Sequence, residues 1–487
     1  MHDDAVTAAA SSSSASSRTF VCGNYQLDEV SRQKSGRIYL YEITPDNGTE
    51  NKAAATGQAS AASAAAASSI SAASASNADS ASSDYALAEQ QVLDTAAIFD
   101  LKWSPQLIAG KQMLGQVDAS GAMLIYEHRR GSAEEKSSLH LTHTTQVVDS
   151  ASCLSLDWSN KRAADDAPTI AISQSNASLS LWSLTPSGVV KLSGWVAHEY
   201  EVWIAHLSAT DPSILYSGAD DCKFKGWDTR QRNHARSALF VDSSHEMGVC
   251  SIASHPLRDH ILATGSYDES LRIWDVRRMD APVLKVEHAL GGGVWRVRWN
   301  VHPARQDHVL AAAMHNGFAV VSVDFTKGEG EASASRATVA AAEVESASNQ
   351  LAASSLGDSA AAVAASSSAG SSIAATAADA PAVSARTVAV YKAHSSLAYG
   401  ADWISKPCAW ASAAASNPPC PSASTSASSS AANPGLEDDL IATCSFYDKQ
   451  LDVWTICTEI DESGSDSSGA TSAAGAAAAV AAAGAHC

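Results

Sequence analysis

Positive charge is scarce in this chain of 487 residues: 32 Lys and Arg stand against 52 Asp and Glu, for a net charge of −20. Binding nucleic acid by neutralising phosphates calls for the opposite balance, so no direct nucleic-acid contact is expected beyond a local basic patch. Paired cysteines are missing as well. The nine cysteines are scattered with no C-x-x-C among them, which removes the usual zinc spacings. No apolar run of about 18 residues and no signal-type leader occurs, so neither membrane insertion nor secretion is expected. A reducing cytoplasmic or nuclear setting is the default, with cytoplasmic preferred. Catalytic motifs are absent too: there is no G-x-S-x-G elbow, H-E-x-x-H pair or P-loop. His245, His255, His260 and His315 do not fall at metal-ligand spacing, so no metal or cofactor is expected.

Against these absences stands a repeat. Tyr216 to Arg230 reads YSGADDCKFKGWDTR, and Thr264 to Arg277 reads TGSYDESLRIWDVR. In each, an Asp (Asp221, Asp268) precedes a Trp (Trp227, Trp274) by six residues and follows a hydroxyl residue (Ser217, Thr264) by four. Such spacing puts the hydroxyl on one strand, the carboxylate in a tight turn and the indole on the return strand. His198 and His245 stand upstream and complete two hydrogen-bonded tetrads, the signature of WD repeats. The two Trp are 47 positions apart, the length of one four-stranded propeller blade with its loops.

A second pattern marks the inner strand of each blade. It reads Ile98, Leu101, Trp103, then Cys153, Leu156, Trp158, then Val202, Ala205, Leu207. Val249, Ile252, Ser254, then Val294, Val297, Trp299, and finally Ala398, Ala401, Trp403 continue it. Return strands end near Tyr126, Trp182, Trp227, Trp274 and Trp454, with blade six degenerate around Val320 to Val323. With a first blade over Phe20 to Leu27 and Gly36 to Ile43, the reading is an all-β, seven-bladed WD40 β-propeller over 19–457. Ala/Ser-rich tracts at about 51–83, 327–385 and 411–434 lack apolar periodicity and are expected to be disordered insertions. Residues 1–18 and the tail over 458–487, acidic and then Ala-rich, are expected to be disordered as well. Blade one then lacks an inner strand and blade seven a closing strand, which predicts a weak seam there or a start missing from this sequence.

The residue before each hairpin Asp should look towards the face where ligands bind. That position holds Asp220, Tyr267, His315 (with Asn316 replacing the Asp) and Tyr447. For any one of them, decorating a loop is as good an account as function. Asp221, Trp227, Asp268 and Trp274 instead hold their hairpins together. Cys222 sits in a turn where a nucleophile would be exposed, whereas Cys153, Cys250 and Cys444 read as strand packing.

Several stretches go beyond the general repeat. VCGNYQL at Val21, GGGVWRVRW at Gly291, MHNGF at Met314, AHSSLAYGADW at Ala393 and ATCSFYDKQLDVW at Ala442, with the two hairpins, resemble the diphthine methyl ester hydrolase family. The resemblance implies a cytoplasmic enzyme of diphthamide biosynthesis that removes a methyl ester from a modified histidine on translation elongation factor 2. It implies no membrane association, and a monomer is expected. For such chemistry His315 is the candidate proton-transfer group, oriented by Asp220 or Glu246. Tyr267, Tyr447 and Trp295 are candidates for holding the substrate's trimethylammonium group on aromatic faces, beside the close-approach glycines 291–293. A competing reading takes the W-D-x-R stretches ending at Arg230 and Arg277 as the pattern of cullin-4 ubiquitin-ligase substrate receptors, and a third is a trafficking scaffold.

Overall fold

Alternating apolar and small residues give strands that bury both faces, and the chain arranges them as seven antiparallel sheets in a ring. The computed structural model describes residues 5–9, 18–45 apart from Glu29, and 85–325 apart from 133–134, 232–236, Met279 and 303–304. It further describes 383–404, 440–445, 450–456 and 477–486. Most of the three Ala/Ser-rich tracts lies outside the described residues. Among those residues, no helix is long and apolar enough to cross a membrane.

Each blade is made of consecutive strands. Blade two pairs Ile98–Trp103, Gln112–Asp118, Ala122–Arg129 and Ser138–Gln146 in order from the axis outwards. Blades three to six start at Cys153–Trp158, Ile204–Leu207, Val249–Ser254 and Arg296–Trp299, and blade seven at Ala398–Ile404. These are the inner strands expected from the repeat. The degenerate return strand of blade six is Phe318–Asp324.

The two chain ends differ from expectation. Ala5–Ala9 pairs with Arg18–Gly23 as the inner strand of blade one, and Ala477–His486 pairs with Gln450–Ile456 as the outer strand of blade seven. Disorder was expected over both stretches because neither carries an alternating pattern. An unpaired sheet edge supplies what the sequence lacks, since its open N–H and C=O groups accept any chain without proline. The seam between blades one and seven is packed. Phe20, Cys22, Tyr39 and Tyr41 share one buried cluster with Leu440, Cys444 and Val453, and Arg18 donates to Ile404 O at 2.7 Å.

Neighbouring blades are tied through their inner strands. Trp158 Nε1 donates to Lys102 O (2.9 Å), Trp299 Nε1 to Ala253 O (3.2 Å) and Trp403 Nε1 to Arg298 O (3.1 Å). Asp157 accepts from Leu207 N at 2.7 Å and pairs with Lys161 at 2.6 Å, while Lys161 also lies 3.2 Å from the His206 ring. Burial pushes the Lys161 ammonium down to about 8, the cost of holding a charge there. Burial acts the other way on Asp157, yet Lys161, His206 and Lys102 outweigh it and hold this carboxyl well below its usual range.

Two hairpins carry complete tetrads. His198 Nδ1 lies 3.0 Å from Asp221 and its Nε2 2.7 Å from Ser217 Oγ, which also accepts from Trp227 Nε1 at 2.8 Å. In blade five the distances are 2.8 Å for His245 to Asp268, 2.9 Å for His245 to Thr264 and 2.9 Å for Trp274 to Thr264. Blade seven has a related set: His394 lies 3.0 Å from Thr443 Oγ1 and 2.8 Å from Ser445 Oγ, and Trp454 donates to Thr443 at 3.2 Å. Burial pushes the Asp268 carboxyl up, but His245 and the N–H groups of Ser270 and Glu246 outweigh it and hold the group at about 2.

Thr264→Val keeps the shape but strands both the indole and the imidazole, and is expected to cost about 1–3 kcal/mol in denaturant unfolding. A depressed carboxyl contributes stability that is complete above its ordinary value of 3.8 and is lost as pH falls towards about 2. Asp268→Asn should therefore lower the melting temperature near neutrality and flatten its fall across that acid window. Lys161→Met leaves Asp157 buried without its nearest cation, and a loss of about 3–5 kcal/mol is expected in the same unfolding assay.

Candidate functional site

The inner strands bring one residue from each of six blades to one end of the central channel. This is the residue that follows the first position of the inner-strand pattern: Phe99, Leu154, Trp203, Cys250, Trp295 and Tyr399. Tyr25 joins them from blade one. Tyr25, Phe99 and Leu154 form one apolar cluster, Cys250, Trp295, Met314 and Tyr399 another, and Trp203 packs against both. Trp203 and Trp295, from blades four and six, touch across the small Cys250 with centroids 5.6 Å apart. Only side chains turned towards a common axis can meet in this way.

Trp295 is the centre of this group. Trp203, Tyr267 and Tyr399 surround it at 5.6, 5.6 and 5.3 Å, with planes inclined by 66°, 60° and 72°. Edge-to-face packing of this kind is favourable beyond its buried area and stands three rings upright about the fourth. One position deeper, Arg296 crosses the axis to blade two, donating to Phe99 O at 3.2 Å and lying 3.7 Å from Asp100.

The surrounding turns fit closely. A Cβ at position 293 would come within 2.8 Å of Met314 Sδ and 3.1 Å of Tyr267, so any side chain there would have to displace Met314 and press on the Tyr267 ring. At 248, a Cβ would meet Asp220 Oδ1 at 2.7 Å. Met314 holds φ at +36°, a strained value for a residue with a side chain, where the turn carrying His315 meets the aromatic cluster.

Of the residues singled out in the sequence, Tyr267 and Trp295 are in contact in this cluster. Tyr447 lies outside the described residues. Asp220 and Glu246 have exposed side chains, and among the described residues no hydrogen bond or ion pair joins either of them to His315. Asp220 instead accepts from Trp203 Nε1 at 3.3 Å, since blades four and six hold Asp220 and His315 on different turns. Glu246 N donates to Asp268 at 3.1 Å, and His315 is exposed. Cys222 does not suit a nucleophile: burial and the nearby Asp220, Asp221 and Asp268 carboxylates push its thiol up, away from thiolate. Arg230 and Arg277 are each held by the Asp of their own W-D pair, at 2.9 and 2.5 Å.

Trp203, Tyr399 and Phe99 are not among the residues that the sequence singles out. Their signal is not in the hairpin turns but one residue after each first inner-strand position. Among the described residues, no group of three or more His, Cys, Asp or Glu is placed to hold a metal ion.

No protein-family profile matches the chain. Among curated proteins it is 40% identical over 245 residues to the human protein named diphthine methyltransferase, covering 49% of this chain and 52% of that protein. The diphthine methyltransferase homolog of Dictyostelium discoideum is 30% identical over 318 residues, covering 63% of this chain and 77% of the relative. The Schizosaccharomyces pombe protein of the same name is 29% identical over 310 residues, with 63% and 77% covered. The chain spans about half the length of the human and mouse relatives it matches, 52% and 49% respectively. Together with the seven-bladed ring, these matches establish that the chain belongs to the family of proteins named diphthine methyltransferase.

Proposed function

We propose that this chain removes the methyl ester of methylated diphthine on translation elongation factor 2, releasing methanol and diphthine in diphthamide biosynthesis. The observation that carries the reading is the aromatic mouth of the channel, bordered by Asp220, Glu246 and the His315 turn, in a chain of this family. Its relatives' name couples diphthine with a methyl group but speaks of transfer, so the direction of methyl chemistry is the specific content of the proposal. We read the protein as acting as a cytoplasmic monomer with the elongation factor as its protein substrate.

Ester hydrolysis asks for three things at one place. A water oxygen bonds to the ester carbonyl carbon as its proton passes to a base, donors hold the resulting oxyanion, and methoxide takes a proton as its bond to carbon breaks. His315 is our candidate for moving those protons, because it stands next to Met314, which packs against the rings. The backbone over 291–293 runs beside the same rings and offers N–H groups to the oxyanion.

Purified protein mixed with elongation factor 2 carrying methylated diphthine is expected to release methanol at catalytic protein amounts. Methyl uptake from S-adenosylmethionine onto unmethylated diphthine, without methanol release, would instead support transfer. Neither reaction in a folded sample would point to a binding module. His315→Ala should cut the hydrolysis rate by about a hundredfold or more with its circular dichroism unchanged; an unaltered rate removes this histidine from the mechanism.

A further inference from the structure

The loops entering blades four and five repeat one short arrangement at the rim of the channel. In each, the tetrad histidine is followed by a glutamate and then a large apolar residue: His198, Glu199, Tyr200 and His245, Glu246, Met247. Glu199 N donates to Asp221 at 3.2 Å and Glu246 N to Asp268 at 3.1 Å, so each loop is pinned to its own tetrad. These pinned loops hold Tyr200 59% and Met247 51% exposed, at equivalent places on adjacent blades. Carboxylates accompany them: Asp220, Glu246 and Glu269 are exposed and Glu201 is half-buried. Backbone groups join their segments, with Asp220 N donating to Glu201 O at 2.9 Å, Tyr267 N to Gly248 O at 3.0 Å and Cys222 Sγ to Glu246 O at 3.5 Å. Among the described residues no Lys or Arg pairs with any of these four. Lys223 is taken by Glu199 at 2.7 Å, and the buried Arg272 is taken by Asp268 and Glu287. Beside them the buried Trp295 Nε1 meets no acceptor among the described residues, although its ring touches Trp203 and Tyr267 of the same two blades. A buried donor left over is costly, and points to an acceptor brought by something seated on this face.

We infer that the rim of blades four and five is the docking surface for a patch rich in lysine and arginine on a protein partner. Tyr200 and Met247 make the apolar contacts, and Glu201, Asp220, Glu246 and Glu269 supply the opposing charge. Tyrosine and methionine are side chains favoured in the buried centre of protein interfaces, and unpaired carboxylates around them draw a cationic surface in from a distance. Because these carboxylates have no internal cation to give up, the partner's charges displace nothing. A polymer of phosphates or an acidic protein would be repelled by the same rim. Blades four and five lie to one side of the opening, so a partner seated on their loops leaves the mouth free for the segment that carries its reacting group. The inference rests on the reading above for the partner's identity, elongation factor 2, and adds where that protein is held.

The test titrates elongation factor 2 carrying methylated diphthine into the full chain, following binding by calorimetry and turnover by methanol release. Raising salt from about 50 to about 300 mM is expected to weaken binding about tenfold or more. The double variant Glu201→Lys, Glu269→Lys should weaken binding about tenfold or more and raise KM to match, with kcat unchanged. A control makes the same change of charge elsewhere and should do neither. It combines Glu89→Lys within Tyr85–Thr95, the outer strand of blade one, with Glu135→Lys in the loop before the outer strand of blade two. Tyr200→Ala and Met247→Ala should each cost about fivefold or more in affinity, and Tyr200→Phe should stay close to the parent. Binding untouched by the Glu201 and Glu269 reversal in a folded protein, an equal loss in the control, or no binding at all would overturn the surface. Salt-sensitive binding that the reversal abolishes, without methanol release, keeps the surface and loses the hydrolase reading. Methanol release at an unchanged KM in the reversal does the opposite.

Discussion

A single hydroxyl in each intact hairpin holds the ligand face in place. Ser217 Oγ and Thr264 Oγ1 each serve an indole N–H from the return strand and an imidazole from the preceding loop, and each imidazole reaches on to the turn carboxylate. Because the three partners come from different segments, the hydroxyl locks the turn to the strands on either side. The residue preceding that carboxylate is then presented at a fixed height above the channel. Asp220 and Tyr267 occupy this position, so the geometry of the mouth depends on bonds buried inside the blades.

The repeat could be read because its signals are local. Hydroxyl, carboxylate and indole lie within ten residues, and inner-strand anchors recur in phase, so six inner strands and the degenerate sixth blade were legible from spacing. The end strands were not, because Ala5–Ala9 and Ala477–His486 carry no alternation and helix propensity argues against strand in the second. Their conformation is imposed by a neighbouring edge, which no window of sequence contains. The site was half legible for a related reason. Tyr267 and Trp295 stand in motifs of their own, whereas Trp203 and Tyr399 acquire meaning only when non-adjacent blades are folded about one axis.

The two ends of the channel divide their chemistry by strand position. At the level of Phe99, Leu154, Trp203, Cys250, Trp295 and Tyr399 the side chains are mostly aromatic and apolar, and three residues further on they include Lys102, Asp157, His206, Arg298 and Asp402. At about 3.3 Å per residue these levels lie roughly 10 Å apart. The deep level spends its charges on one another and on the next blade's backbone, so its polarity belongs to the ring's cohesion. The upper level leaves a carboxylate and an indole N–H over.

Arg296 spans the axis from blade six to blade two just beneath the rings. It makes the channel a cup. With a side chain laid across the axis at that level, the space above it opens towards the mouth alone, and anything held there would enter and leave from the same side.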